Sequence, residues 1–136
     1  MTSPVLALRQ AILAKAEADV PLKTLMGGSL RLYDEPPRGA EPVYAVFDDV
    51  TAADWSTDSS RGHEQDLAIV VWSAPGGARV ALSAAERFAA ILDDAPLPLD
   101  GHRLVNLRTT QLAAERDKDT ALTRVTLSLR AVTEAT

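Results

Sequence analysis

Hydrophobic positions change their period along this chain, and each change marks an element. From Leu67 to Trp72 the run Leu-Ala-Ile-Val-Val-Trp is apolar on both parities and rich in β-branched types, which predicts a central strand covered on both faces. Ser73-Ala-Pro-Gly-Gly77 ends it, because proline donates nothing to a ladder and paired glycines permit positive φ. From Ala78 the period lengthens to that of a helix. Ala81, Ala84, Ala85, Phe88, Ile91, Leu92 and Ala95 fall on one stripe, while Arg79, Glu86, Arg87, Asp93 and Asp94 stay off it. Gln65 to Ala95 therefore reads as strand, turn and long amphipathic helix, and the rest of the chain is organised around it. A capping box at Ser83-Ala-Ala-Glu86 would start that helix later.

Upstream, Ser3 as N-cap and Pro4 at the first helical position open a helix. Val5, Leu8 and Ile12 form its stripe with Leu6 and Leu13 beside them, and Lys15, Glu17 and Asp19 mark a solvated end. After Pro21, Leu22 to Met26 reads as a short further turn before Gly27-Gly28. Leu30 to Tyr33 is a brief strand, and Asp34 to Gly39 is a loop because consecutive prolines deny both helix and ladder. Pro42 to Phe47 reads as the second strand, closed by Asp48-Asp49. Thr51 to Ser60, small polar residues around Trp55, is the least patterned stretch and holds at most a short strand in a long loop, with Arg61-Gly62 as a turn.

Downstream, Pro96 and Pro98 end the helix, and Arg103 to Glu115 reads as a long strand with Val105, Leu107 and Thr109 on one parity. Asp117-Lys-Asp119 is the turn. From Ala121 to Val132 the alternation is clean: Val125, Leu127, Leu129 and Ala131 point one way, Arg124, Thr126, Ser128 and Arg130 the other. That pattern predicts an antiparallel hairpin with one wet face. The order α-β-β-(β)-β-α-β-β predicts an α+β domain, a largely antiparallel sheet with two main helices packed on it.

At 136 residues, one domain over 1–136 is expected, with no linker or internal repeat. No cysteine is present, which removes disulfides, thiolate metal sites and cysteine nucleophiles. The net charge of −5 argues against wrapping DNA phosphates, and 4% aromatics against stacking platforms for single strands. Met1-Thr-Ser-Pro4 lacks a basic segment before an apolar core, and no apolar run approaches about 18 residues, so neither a signal peptide nor a membrane span is expected.

Candidate chemistry is sparse. His63, Glu64 and Asp66 form the one cluster resembling a metal or acid–base site, but strand geometry would put Glu64 and Asp66 on one face and His63 on the other. His102, the second histidine, falls in a turn. Asp48-Asp49 and Asp93-Asp94 read as caps and solubilising charges, since adjacent side chains diverge. Ser59, Ser73 and Ser83 lack a Gly-x-Ser-x-Gly context, and neither Gly27-Gly28 nor Gly76-Gly77 leads into Gly-Lys-Ser/Thr. No catalytic, cofactor-binding or metal-ligating residue is assigned. Trp72 reads as a core or sheet-face aromatic; Trp55, in a polar loop, reads equally as a loop anchor or an interface residue.

The string Ile69-Val-Val-Trp-Ser73, then Gly76-Gly77, an alanine-rich helix and Leu97-Pro-Leu-Asp-Gly101, resembles the small tail-completion proteins of long-tailed, siphovirus-like phages and gene transfer agents, the tail terminators. Trp55-Ser-Thr57 and His63-Glu64 add to it, and the resemblance spans Val5 to Val132 as a succession of short hydrophobic and turn signatures. It implies a virion structural protein, not an enzyme, forming a hexameric ring that ends the tail tube and joins tail to head. Implied partners are the major tail tube protein and a head–tail connector or stopper protein, with DNA passing through the lumen without sequence-specific binding, no cofactor and no membrane. The implied location is the head-proximal end of the tail, with assembly in the host cytoplasm. A head-completion or connector protein of the same neck and a small metal-dependent hydrolase using His63, Glu64 and Asp66 remain as alternatives. If subunits form a ring, Trp55 and the wet-face arginines Arg108, Arg124 and Arg130 are the expected contact residues, since arginine forks suit carboxylates on an acidic neighbour.

Overall fold

The Leu6 amide donates to Ser3 Oγ at 3.3 Å and Pro4 takes the first turn, so the first helix, α1, runs Pro4–Glu17 as its cap predicts. The computed structural model describes residues 3–136; the Met1-Thr2 part of the opening read for a leader lies outside them. Alanines complete the buried face of α1, which is Ala7, Leu8, Ala11, Ile12 and Ala16, whereas Leu6 is 56% exposed and leaves the expected stripe. Asp19 is not a solvated helix end. It caps a second helix, α2 (Val20–Leu25), accepting from the Leu22 amide at 3.0 Å. Its two carboxylate oxygens also accept from Arg87 at 2.7 and 2.8 Å.

The strands are β1 (Leu32–Tyr33), β2 (Tyr44–Asp54), β3 (Gly62–Trp72), β4 (His102–Arg116) and β5 (Thr123–Ala135), with helix α3 (Ala78–Leu92) between β3 and β4. They form one sheet in the order β1-β2-β3-β5-β4, antiparallel except for β1 beside β2. This is the α+β class predicted. Helix α3 starts directly after Gly77, whose amide donates to the Ala74 carbonyl at 2.8 Å, so the Ser83–Glu86 box is not used as a cap.

Strand bounds and registers differ from the sequence reading, most of all in β2 and β4. Asp48-Asp49 does not close β2; a bulge between Phe47 and Val50 absorbs the two polar residues, and both flanking apolar side chains face the helices. Thr51 to Asp54 then pairs with Asp66 to His63, so the bracketed strand is the far end of β2 and the loop shrinks to residues 55–61. In β4, bulges between Leu104 and Asn106 and between Thr109 and Gln111 break the expected parity. Val105 sits at the first bulge and is 41% exposed, Thr109 is half-buried, and only Leu107 of that trio is deep.

All helices contribute to one cluster, in which Leu8, Ile12, Leu22, Met26, Ala84 and Phe88 meet Phe47, Ile69, Val71, Val125, Leu127 and Leu129 of the sheet. Small residues on α3 let it lie close on the sheet. The opposite sheet face has no helix on it among the described residues. β3 is therefore central but not covered on both sides: Asp66 is exposed, Ala68 and Trp72 are half-buried, and Val70 is buried outside the helix-facing cluster. Its double-parity apolar run serves the core on one side and an aromatic-rimmed open face on the other.

Candidate interaction surface

Strict alternation in β5 sends Arg124, Thr126, Ser128 and Arg130 to the open face. Cross-strand register sets Trp72 beside Arg124, Val70 beside Thr126 and Asp66 beside Arg130 on β3, with Glu115 and Arg108 on β4 completing the rows. Arg130 Nε donates to Glu64 Oε1 at 2.9 Å, a charge-assisted bond that raises the guanidinium's pKa, with Glu64 and then Asp66 adding attraction. Arg124 donates to Glu115 Oε2 at 2.9 Å and lies 5.8 Å from the Trp72 ring centre, a cation–π distance. Arg108 stands directly opposite Arg130 and has no ion pair among the described residues. Tyr44, Val46, Val70, Trp72, Arg124 and Thr126 line most of a shallow depression of about 390 Å³ at one end of this face.

Trp55 is 47% exposed at the tip of the β2–β3 hairpin. Its backbone is fixed: the Trp55 amide donates to the Gly62 carbonyl at 2.9 Å, and a Cβ on Gly62 would lie 3.0 Å from the Trp55 carbonyl oxygen. The Asp54 carboxylate accepts from both the hydroxyl and the amide of Ser56, which lowers its pKa. The backbone of the tip is anchored and the indole is left at the surface.

The four expected contact residues do not form one patch. Arg108 and Arg130 are neighbours, Arg124 lies six residues further along β5, roughly 20 Å away at strand rise, and Trp55 follows the opposite end of the sheet. As strand alternation required, Glu64 and Asp66 share the open face while His63 points to the other side. Glu64 is engaged by Arg130, and no three His, Asp or Glu side chains converge on a metal-sized site among the described residues. His102 is not in a turn; it is the buried first residue of β4. The sequence reading missed Glu64 and Glu115 as partners of the arginines, and it missed Asp19 as a cap, although Asp19-Val-Pro21 carries the signal of a cap residue followed by an early-turn proline.

Comparison with known proteins fits this geometry. Residues 10–134 match the family described as tail completion protein gp17. A chain from the virion of a native gene transfer agent (GTA) particle matches with a TM-score of 0.88 and 29% identity, over 99% of this chain and 100% of that one. No curated protein matches.

Proposed function

The chain belongs to the gp17 tail completion family, and from that premise we propose that it is a structural protein of a phage or gene transfer agent virion, acting as the tail terminator. In this role subunits form a hexameric ring on the head-proximal end of the tail tube, meet the major tail tube protein on one side and a connector or stopper protein on the other, and leave a channel for DNA. The observation that carries the reading is the end-to-end match to a chain of a GTA virion, which leaves almost none of either chain unaccounted for.

Physical features support it. A net charge of −5 suits a channel through which phosphates slide without sticking. Arg124 with Glu115 and Arg130 with Glu64 are tied into ion pairs on the open face rather than poised around a reactive centre, which favours a structural role over catalysis. Trp55, Arg108, Arg124 and Arg130 are the residues we place at contacts in the assembled neck, where an exposed indole and a cation such as Arg108, without an ion pair among the described residues, gain most from cover. The subunits assemble in the host cytoplasm and end in the virion.

Electron cryomicroscopy of assembled particles tests this directly. The expected density is a six-fold ring of this chain between tube and head, with at least one of the four residues within contact distance of another chain. Particles whose neck contains no copy of the chain would overturn the function; a ring with all four residues exposed would overturn the contact assignment alone.

A further inference from the structure

The sheet has two unlike open edges, and their charges are opposite. On one side β1 covers β2 only at Ala45 and Val46, and Arg9 reaches the Asp48 carbonyl at 3.3 Å; beyond that the outer edge of β2 has no backbone partner among the described residues. On the other side the outer edge of β4 is bonded at Leu107, whose carbonyl accepts from the Asp94 amide at 2.8 Å, and at Thr109, whose amide donates to Asp93 Oδ1 at 2.9 Å. From Leu112 to Arg116 that edge has no backbone partner among the described residues. β2 carries Asp48, Asp49 and Asp54 and no base, while β4 carries Arg103, Arg108 and Arg116 against a single acid, Glu115. Arg108 and Arg116 have no ion pair among the described residues, nor do Asp48 and Asp49.

Backbone polarity is set as well. The Trp55 amide bonds the Gly62 carbonyl, so by antiparallel alternation Ala53 and Thr51 also bond β3, and Val50, Ala52 and Asp54 turn their N–H and C=O groups outward. The Asp117 amide bonds the Leu122 carbonyl, so the same alternation leaves Leu112, Ala114 and Arg116 facing outward on β4. Both runs lie clear of the bulges and contain no proline or lysine, the usual protections of an edge.

We infer that the outer edge of β2 from Val50 to Asp54 pairs with the β4 edge of a second copy of this chain. β2 and β4 already run antiparallel within the sheet, so a neighbour turned about an axis along the strands presents the right direction. Each copy uses each edge once, giving a head-to-tail contact of the kind that closes into a ring. With Ala52 opposite Leu112 the outward groups of both strands alternate in step, Asp48 falls opposite Arg116, Asp49 falls opposite Glu115 and one residue from Arg116, and Asp54 falls two residues from Arg108. This inference rests on the ring reading and names its contact.

The chain has no cysteine, so an Ala52→Cys/Leu112→Cys double variant is a clean probe. In a hydrogen-bonded antiparallel pair the two Cα atoms stand about 5.5 Å apart, within disulfide reach. Assembled tails carrying the double variant, oxidised and run without reductant, are expected to give a ladder of covalently linked copies, and either single variant none. A second measurement uses Ala52→Pro, which removes only an outward N–H: the chain is expected to fold with near-normal thermal unfolding and to be absent from tails. A visible six-fold ring with no ladder, or normal incorporation of Ala52→Pro, overturns the edge pairing and leaves the ring standing. No ring in the wild-type particle overturns both.

Discussion

β4 and β5 are hydrogen-bonded neighbours of similar length, yet they obey different rules. β5 pairs with β3 from Gly62↔Glu134 to Trp72↔Arg124 without a register shift, and its inward side chains from Val125 to Ala131 are all buried. β4 slips twice against that same β5, and most of its side chains are exposed or half-buried. Leu112 and Leu127 stand opposite each other, one half-buried and the other fully so. The difference follows from neighbours. A strand held on both sides has its register fixed twice, so one extra residue would flip its side chains out of the core. A strand held on one side tolerates bulges, because only one ladder has to absorb them.

Proline is the harshest test of that contrast. Ser128→Pro in β5 removes an amide from a strand paired on both sides and is expected to abolish cooperative urea unfolding; Ala114→Pro in β4 removes an outward amide and should leave the transition intact. A folded Ser128→Pro chain would break the comparison. Next in size, Leu127→Ala should cost about 2–5 kcal/mol through lost burial and a cavity, and Leu112→Ala about 1 kcal/mol, read as urea midpoints at constant slope. Equal costs would show that the two strands are not differently held.

The helix layer supplies a control that should not distinguish the strands. Asp19 caps α2 and is held by Arg87, with a side chain only 12% exposed, and Asp19→Ala is expected to cost about 1–2 kcal/mol from the cap. The bond from Arg87, chiefly, lowers the Asp19 pKa against the opposing effect of burial. A lowered folded-state pKa contributes stability that is complete above the unfolded value of about 4 and is lost as pH falls through the folded value. Stability between pH 5 and 7 should therefore be indifferent to this group, with the loss confined to more acid solution and absent in Asp19→Ala. Amide exchange during that acid loss should rise in β4 and β5 together. Smallest of all, Val105→Thr at the β4 bulge should change stability by less than about 0.5 kcal/mol.

Much of the candidate surface was legible because β5 alternates so cleanly. Parity alone placed Arg124 and Arg130 on the open face, whereas the polar surroundings of Trp55 left loop anchor and interface residue equally open until the structure showed its indole 47% exposed. The stretch before Trp55 was not legible, since Asp48-Asp49 looks like a strand end in sequence and becomes a bulge only when Phe47 and Val50 both find the core. In β4 the apparent parity of Val105, Leu107 and Thr109 misled for the same reason.

By itself the sequence determined what depends on near neighbours along the chain. The Ser3-Pro4 start of α1, the stripe of α3, the alternation of β5 and the turn chemistry between them all rest on contacts a few residues apart, and they carried the α+β class and the family resemblance. Only the tertiary structure decided that β3 is covered on one face alone, where the strands bulge, and that Glu64 and Asp19 serve Arg130 and Arg87, partners 66 and 68 residues distant. Those outcomes are set by competition among several long-range arrangements for one core, and a local pattern holds no information about which arrangement buries the most.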